Sequence, residues 1–231
     1  MHPLAPGVTH IPTSKRDNAF LVDGDDGLTL VDVGWAKAPG VLLAALAELG
    51  RKPGDIKRIV LTHAHPDHVK GAAELRERTG AAILIHQADA AWLEAGRVPA
   101  EGRSGAVGRL IDRIPALHWT PVTPDGLLTD DQLIEGSDGL RVVHTPGHTP
   151  GHIVLVHEPS RTVLLGDAVF HRGELALGPA ALAADPQLRG GSLAKLPQGI
   201  AAAGFAHGAP LSGPDISTFH AFLEPLTADQ Q

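Results

Sequence analysis

The stretch KRIVLTHAHPDH (57–68) decides how this chain is read. Its first half, KRIVLT (57–62), is a short apolar strand. The second half, HAHPDH (63–68), is a run of metal-ligating side chain types that begins where the strand stops. His63 and His65 are two apart, so their side chains project to one side and can grip one cation. Asp67 and His68 follow in a turn able to carry both toward a neighbouring position. Imidazole and carboxylate are the borderline donors that zinc, iron(II) or manganese accept. On the motif alone, a solvated turn with accidental histidines stays open as the alternative.

Three further turns carry the same residue types. HTPGHTPGH (144–152) puts His148 in a Pro-Gly turn, where no helix or strand occupies the imidazole. LLGDAVF (164–170) closes a strand with Gly166 and Asp167, an exposed carboxylate at a strand terminus. FAHGAPL (205–211) does the same for His207. Each follows a strand or an apolar run, and in a layered α/β domain such edges meet in one crevice.

The surrounding pattern is that of layers. GLTLVDVG (27–34) alternates Leu28, Leu30 and Asp32 with Thr29, Val31 and Val33, as a strand buried on both sides does. A helix is predicted after Pro39, with Val41, Leu42, Ala45, Leu46 and Leu49 at helical spacing and Gly50 closing it. Further helices are expected over about 69–79, near 87–95 and over 216–223, and 187–204 reads as partly helical. Strands are expected at 81–85, 140–144, 152–157 and 162–166. Strand and helix alternating in this order predict an α/β fold in a single domain spanning 1–231. The segment 96–132 is Gly- and Pro-rich, with one helix near 104–114. It reads as an insertion over one edge of the domain, either a lid over the site or a plain surface excursion.

Composition narrows the chemistry. The 231 residues include 14 His but no Cys and no Tyr, and 19 Lys+Arg against 26 Asp+Glu give a formal charge of −7. Absent Cys excludes disulfides, thiolate metal sites and a cysteine nucleophile. Scattered cations under a net negative charge argue against a nucleic-acid partner. The opening MHPLAPGVTHIPTSKR lacks the order of a secretion signal, and no apolar run nears the ~20 residues of a membrane span, so a cytoplasmic protein without a membrane partner is expected. Ser192-Leu193-Ala194-Lys195 matches an S-x-x-K form, but its partner motifs are missing, and it reads as coincidence.

HAHPDH, TPGHTPGH, LLGDAVF and AHG, together with the opening DNAFLVDGDDGLTLVDVG (17–34), resemble the metallo-β-lactamase superfamily in order and interval over nearly the whole chain. The resemblance implies a four-layer αβ/βα sandwich with a dinuclear site on the shared edge of two sheets. Carried over by position, His63, His65 and His148 would hold a first metal. Asp67, His68 and His207 would hold a second, and Asp167 would bridge them. Two divalent ions are implied, zinc foremost, with iron or manganese as substitutes. Asp67, with one oxygen free of metal, is the candidate for proton relay. His144 and His152 are candidates for orienting ligands from behind, and equally for filled structural positions. His171 is a candidate to face substrate, with a surface role as its alternative.

The implied activity is hydrolysis of a small-molecule ester, lactone or thioester. One alternative is a persulfide dioxygenase-like enzyme in which His63, His148 and Asp167 hold a single iron. A second is a metal-stabilised module without turnover. Glyoxalase II-type thioesterases carry a longer helical carboxyl-terminal region than the 24 residues that follow His207, which argues against a glutathione thioester. Lactonases of the family rely on a nearby Tyr that this chain lacks. True β-lactamases generally lack an Asp at the bridging position. A homodimer is expected from the family and the apolar content.

Overall fold

A computed structural model describes residues 1–228. The first half of the chain builds β1 (His2–Ala5), β2 (Val8–Pro12), β3 (Asn18–Gly24), β4 (Gly27–Val31), β5 (Ile56–Leu61), β6 (Ala82–His86) and β7 (Gly126–Leu128). They form one sheet in sequence order, antiparallel from β1 to β4 and parallel from β4 to β7. The second half gives β8 (Leu140–His144), β9 (Ile153–His157), β10 (Thr162–Leu164), a separate hairpin of β11 (Val169–Arg172) and β12 (Glu174–Leu177), then β13 (Ala202–Gly204) and β14 (Leu211–Ser212). Its sheet runs β14-β13-β10-β9-β8.

Helices α1 (Ala38–Glu48), α2 (Pro66–Val69), α3 (Ala72–Thr79), α4 (Ala90–Ala95), α5 (Ala106–Ile111) and α6 (Leu188–Ser192) lie between the strands, and α7 (Ile216–Ala228) follows the last of them. Three apolar clusters follow from the alternation along the strands. Leu30, Ile59 and Ile83 point outward from the first sheet onto Leu42, Leu46 and Leu75 of α1 and α3. Val31 and Val60, on the opposite face, meet Val142, Ile153 and Leu155 of the second sheet. Val154, Val163 and Leu193 pack with Phe205 and Phe219 on the far side. The order helix, sheet, sheet, helix is the expected four-layer αβ/βα sandwich.

The structure alters several expected boundaries. Of the apolar positions assigned to α1, Val41 and Leu49 are each 40% exposed, so the buried stripe is narrower. The helix expected over 69–79 is two helices, a single turn beginning at Pro66 and a second beginning at Ala72. The segment 96–132 is partly integral, because its end supplies β7 and it sends Trp119 and Val122 into the core. Strands of two to four residues leave no periodicity to read, which hid β7 and β11 through β14. Among the described residues, no helix is long and apolar enough to cross a membrane.

Candidate metal centre

The chain leaves β5 at Leu61 and reaches the ligand run through Thr62. Behind that run lies Asp32, just past β4, in the left-handed region at φ 60° that Asp adopts more readily than most residues. Its Oδ1 accepts the Thr62 backbone N–H at 2.8 Å, and its Oδ2 accepts the Thr62 hydroxyl at 2.8 Å. With its own proton committed, the Thr62 hydroxyl accepts from His63 Nδ1 at 3.1 Å. His68 Nδ1 lies 2.8 Å from Asp32 Oδ2. One buried carboxylate therefore fixes both imidazoles and turns both Nε2 atoms forward.

Two groups of potential ligands result. His63, His65, His148 and Asp167 form the first, all buried; Asp67, His68 and His207 form the second. His65 Nδ1 lies 3.0 Å from His63 Nε2 and 2.8 Å from His148 Nε2. Asp167 stands between the groups. Its Oδ2 is 3.2 Å from His148 Nε2, while Oδ1 is 3.1 Å from both His68 Nε2 and His207 Nε2. Asp67 Oδ2 lies 3.4 Å from His207 Nε2, and the Asp67 side chain is 25% exposed, at the mouth of the site.

The donor set suits divalent cations. Three imidazole nitrogens crowd one point, although His63 has committed its Nδ1 proton to Thr62 and offers a lone pair there. His68 Nε2 and His207 Nε2 both converge on Asp167 Oδ1, each at 3.1 Å, a cluster of N and O donors that a divalent cation could share. Burial lowers His63 and His65 well below the usual imidazole range and takes His148 to about 4. In the second group burial is overcome. Asp32 and Asp167 raise His68 well above that range, and Asp167 with Asp17 raises His207. Burial would raise Asp167 as well, but His207, His68 and His148 hold it well below the carboxylate range.

The backing residues are specific. His152 Nε2 accepts the Asp167 backbone N–H at 3.0 Å, and its Nδ1 pairs with the Thr145 hydroxyl at 2.8 Å, so this imidazole aligns Asp167 from behind. Gly166 makes the approach feasible: at φ 50°, a Cβ there would lie 2.7 Å from His152 Nε2. His144 stands elsewhere. Its Nε2 pairs with Pro150 O at 2.8 Å and its ring stacks on His86, so it braces the 144–152 turn and backs no ligand. His171 has its Nδ1 on Ala209 O at 2.6 Å and its backbone N–H on His207 O at 2.9 Å, placing it behind His207. Gly208 is required there, because a Cβ would run into the His171 carbonyl.

Three residues of this architecture carry no role in the sequence reading. Asp32 is one. Asp17, with Oδ1 3.1 Å from His207 Nδ1, is the second. Asp89, fully buried in the turn before α4, accepts the Ala64 N–H, the Thr149 hydroxyl and the Gly151 N–H, stapling the two ligand-bearing loops together. The positive φ of Asp32 has a faint sequence signal in the Asp-Val-Gly that ends β4; Asp89 has none. Ser192 donates to Pro146 O and Leu188 O, and Lys195 pairs with Asp130, which accords with S-x-x-K as coincidence.

An αβ/βα sandwich with this two-part His/Asp cluster at the edge of its sheets defines a metal-binding hydrolase class. The family model for the metallo-beta-lactamase superfamily matches residues 16–209, and the chain belongs to that superfamily. The probable metallo-hydrolase YflN of Bacillus subtilis (strain 168) is 27% identical over 80% of this chain and 76% of its own. A hydroxyacylglutathione hydrolase of Cereibacter sphaeroides (strain ATCC 17025 / ATH 2.4.3) is 33% identical over 71% of this chain. This match spans only 52% of the relative's length. Among solved structures, a metallo-beta-lactamase family protein of Thermus thermophilus superposes with a TM-score of 0.69 at 25% identity, covering 99% of this chain and 81% of that one. Both of these curated relatives bear the names of hydrolases.

Proposed function

We propose that the chain is a dinuclear metal-dependent hydrolase of a small ester, lactone or thioester. The observation that carries this reading is Asp167, which turns one carboxylate oxygen toward each group of histidines. Two divalent ions, zinc foremost given the N/O donor set, would supply Lewis acidity and lower the pKa of a bound water from ~15.7 toward ~7. His63, His65 and His148 would hold one ion, Asp67, His68 and His207 the other. Asp67 is the group for proton movement: it is the most exposed of the seven, and its oxygen other than Oδ2 is free to accept a proton and return it to the leaving group. Asp32, Asp17 and His152 keep the ligands in one orientation through the cycle.

The hydroxyacylglutathione hydrolases among the relatives support an acyl substrate. The completeness of the second group favours hydrolysis over the single-iron dioxygenase reading. The test is an activity screen over lactones, thioesters, aryl esters and phosphodiesters, with metal stoichiometry measured on the same sample. Two ions per chain and turnover of an ester, lactone or thioester are expected. One iron per chain with sulfite production would overturn the reading, and so would two bound ions with no turnover of any substrate.

A further inference from the structure

The loop between β2 and β3 and the turn after β11 border a cavity of ≈ 650 Å³ that the chemistry above leaves unused. Lys15, Arg16 and Arg172 line it, with His10 and His171, and no carboxylate does. Among the described residues, the Lys15 and Arg16 side chains make no hydrogen bond or ion pair, and the Arg172 guanidinium rests 5.2 Å over the Phe170 ring. His10, only 7% exposed, forms part of the inner wall of the cavity. Unpaired cations around a concave surface raise the local positive potential, and oxyanions form their strongest hydrogen bonds with such groups.

The cavity also abuts the metal centre. The Arg16 carbonyl lies 3.1 Å from His207 Nδ1, and Gly208 in the cavity wall follows His207 directly. We propose that this cavity is an oxyanion-binding site that takes a carboxylate or phosphate group. Two sources supply such a group: the remote end of the substrate, or a free small anion that settles behind His207. The first source rests on the hydrolase reading; the binding site itself does not.

The test uses the full-length, metal-loaded protein and the variant Lys15→Gln/Arg172→Gln, which leaves every metal-site residue in place. Sodium phosphate and sodium acetate are titrated at constant ionic strength and followed by ¹H–¹⁵N spectra. Saturable shifts at the Lys15, Arg16 and Gly208 amides are expected, weakened roughly tenfold in the variant. Hydrolysis of a neutral ester and of its carboxylate-bearing analogue then separates the sources. If the substrate's end occupies the cavity, the variant raises KM about tenfold for the charged ester alone and leaves kcat unchanged. If a free anion is the ligand, both esters respond alike while the phosphate shifts still weaken. Absence of saturable shifts, or shifts equal in both proteins and confined to metal-site amides, overturns the proposal. Phosphate binding in the cavity of a protein that hydrolyses no ester sinks only the reading of function.

Discussion

The two halves of the metal centre use similar residue types and hold them in opposite protonation states. In the first, His63, His65 and His148 sit among one another, and burial lowers all three. In the second, His68 rests on Asp32 and His207 on Asp17, with Asp167 facing both, and these carboxylates outweigh burial and raise both imidazoles. Environment rather than residue type sets the difference. Without metal, the first half presents neutral nitrogens ready to coordinate, whereas the second is a buried ion network from which a cation must displace protons.

Removing the residue common to both halves should have the largest effect. Asp167→Ala is expected to lose both ions and to lower turnover by more than ~100-fold, read by elemental analysis beside an ester assay. Two retained ions would break the assignment of Asp167 to both halves. His148→Ala and His207→Ala sharpen the comparison next: each should retain close to one ion per chain with turnover abolished, and identical stoichiometric losses of both ions would show the halves to be a single unit. Asp32→Asn leaves all seven ligands in place but weakens the backing of one imidazole in each half. Activity is expected to fall roughly 10- to 100-fold, and an unchanged rate would make Asp32 merely structural.

The protonation difference has its own readout. His68 and His207, raised by their carboxylates, are charged in the metal-free protein at neutral pH, while His148, lowered to about 4, is not. Metal binding at the second half should therefore release about one proton per charged imidazole and strengthen as pH rises. Binding at the first half should vary little between about pH 5 and 7, and calorimetry in buffers of different ionisation enthalpy separates the two. Equal proton release at both halves would remove the contrast. The smallest effect is expected outside the centre. Leu110, 64% exposed on α5, belongs to the segment read as either a lid or a surface excursion, and if it is a lid Leu110→Ser should shift preference across a substrate panel by up to roughly tenfold with metal content unchanged. Identical kinetics across the panel would refute the lid.

Much of the centre was legible because its chemistry is local. HAHPDH carries its ligands on closely spaced positions after a strand, and Gly166-Asp167 and His207-Gly208 are turns whose glycines have steric reasons visible in the fold. What could not be read was pairing over distance. Asp32 reaches His68 across 36 positions because β4 and β5 are parallel neighbours, so their ends lie side by side. Asp89 reaches Thr149 across 60 positions because the two sheets share an edge. His144 and His152 flank the same turn with equal claims by sequence, and only the packing sends one toward Asp167 and the other toward Pro150.

By itself, then, the sequence determined which His and Asp residues are candidate ligands, their order and the layered fold, since strand alternation and turn residues act over a few positions. Tertiary structure decided which carboxylate stands behind which imidazole, that the end of 96–132 is a strand of the sheet, and that Lys15, Arg16 and Arg172 share a cavity. Those contacts join residues far apart in the chain, and charge at a buried site is set by the neighbours that folding brings to it.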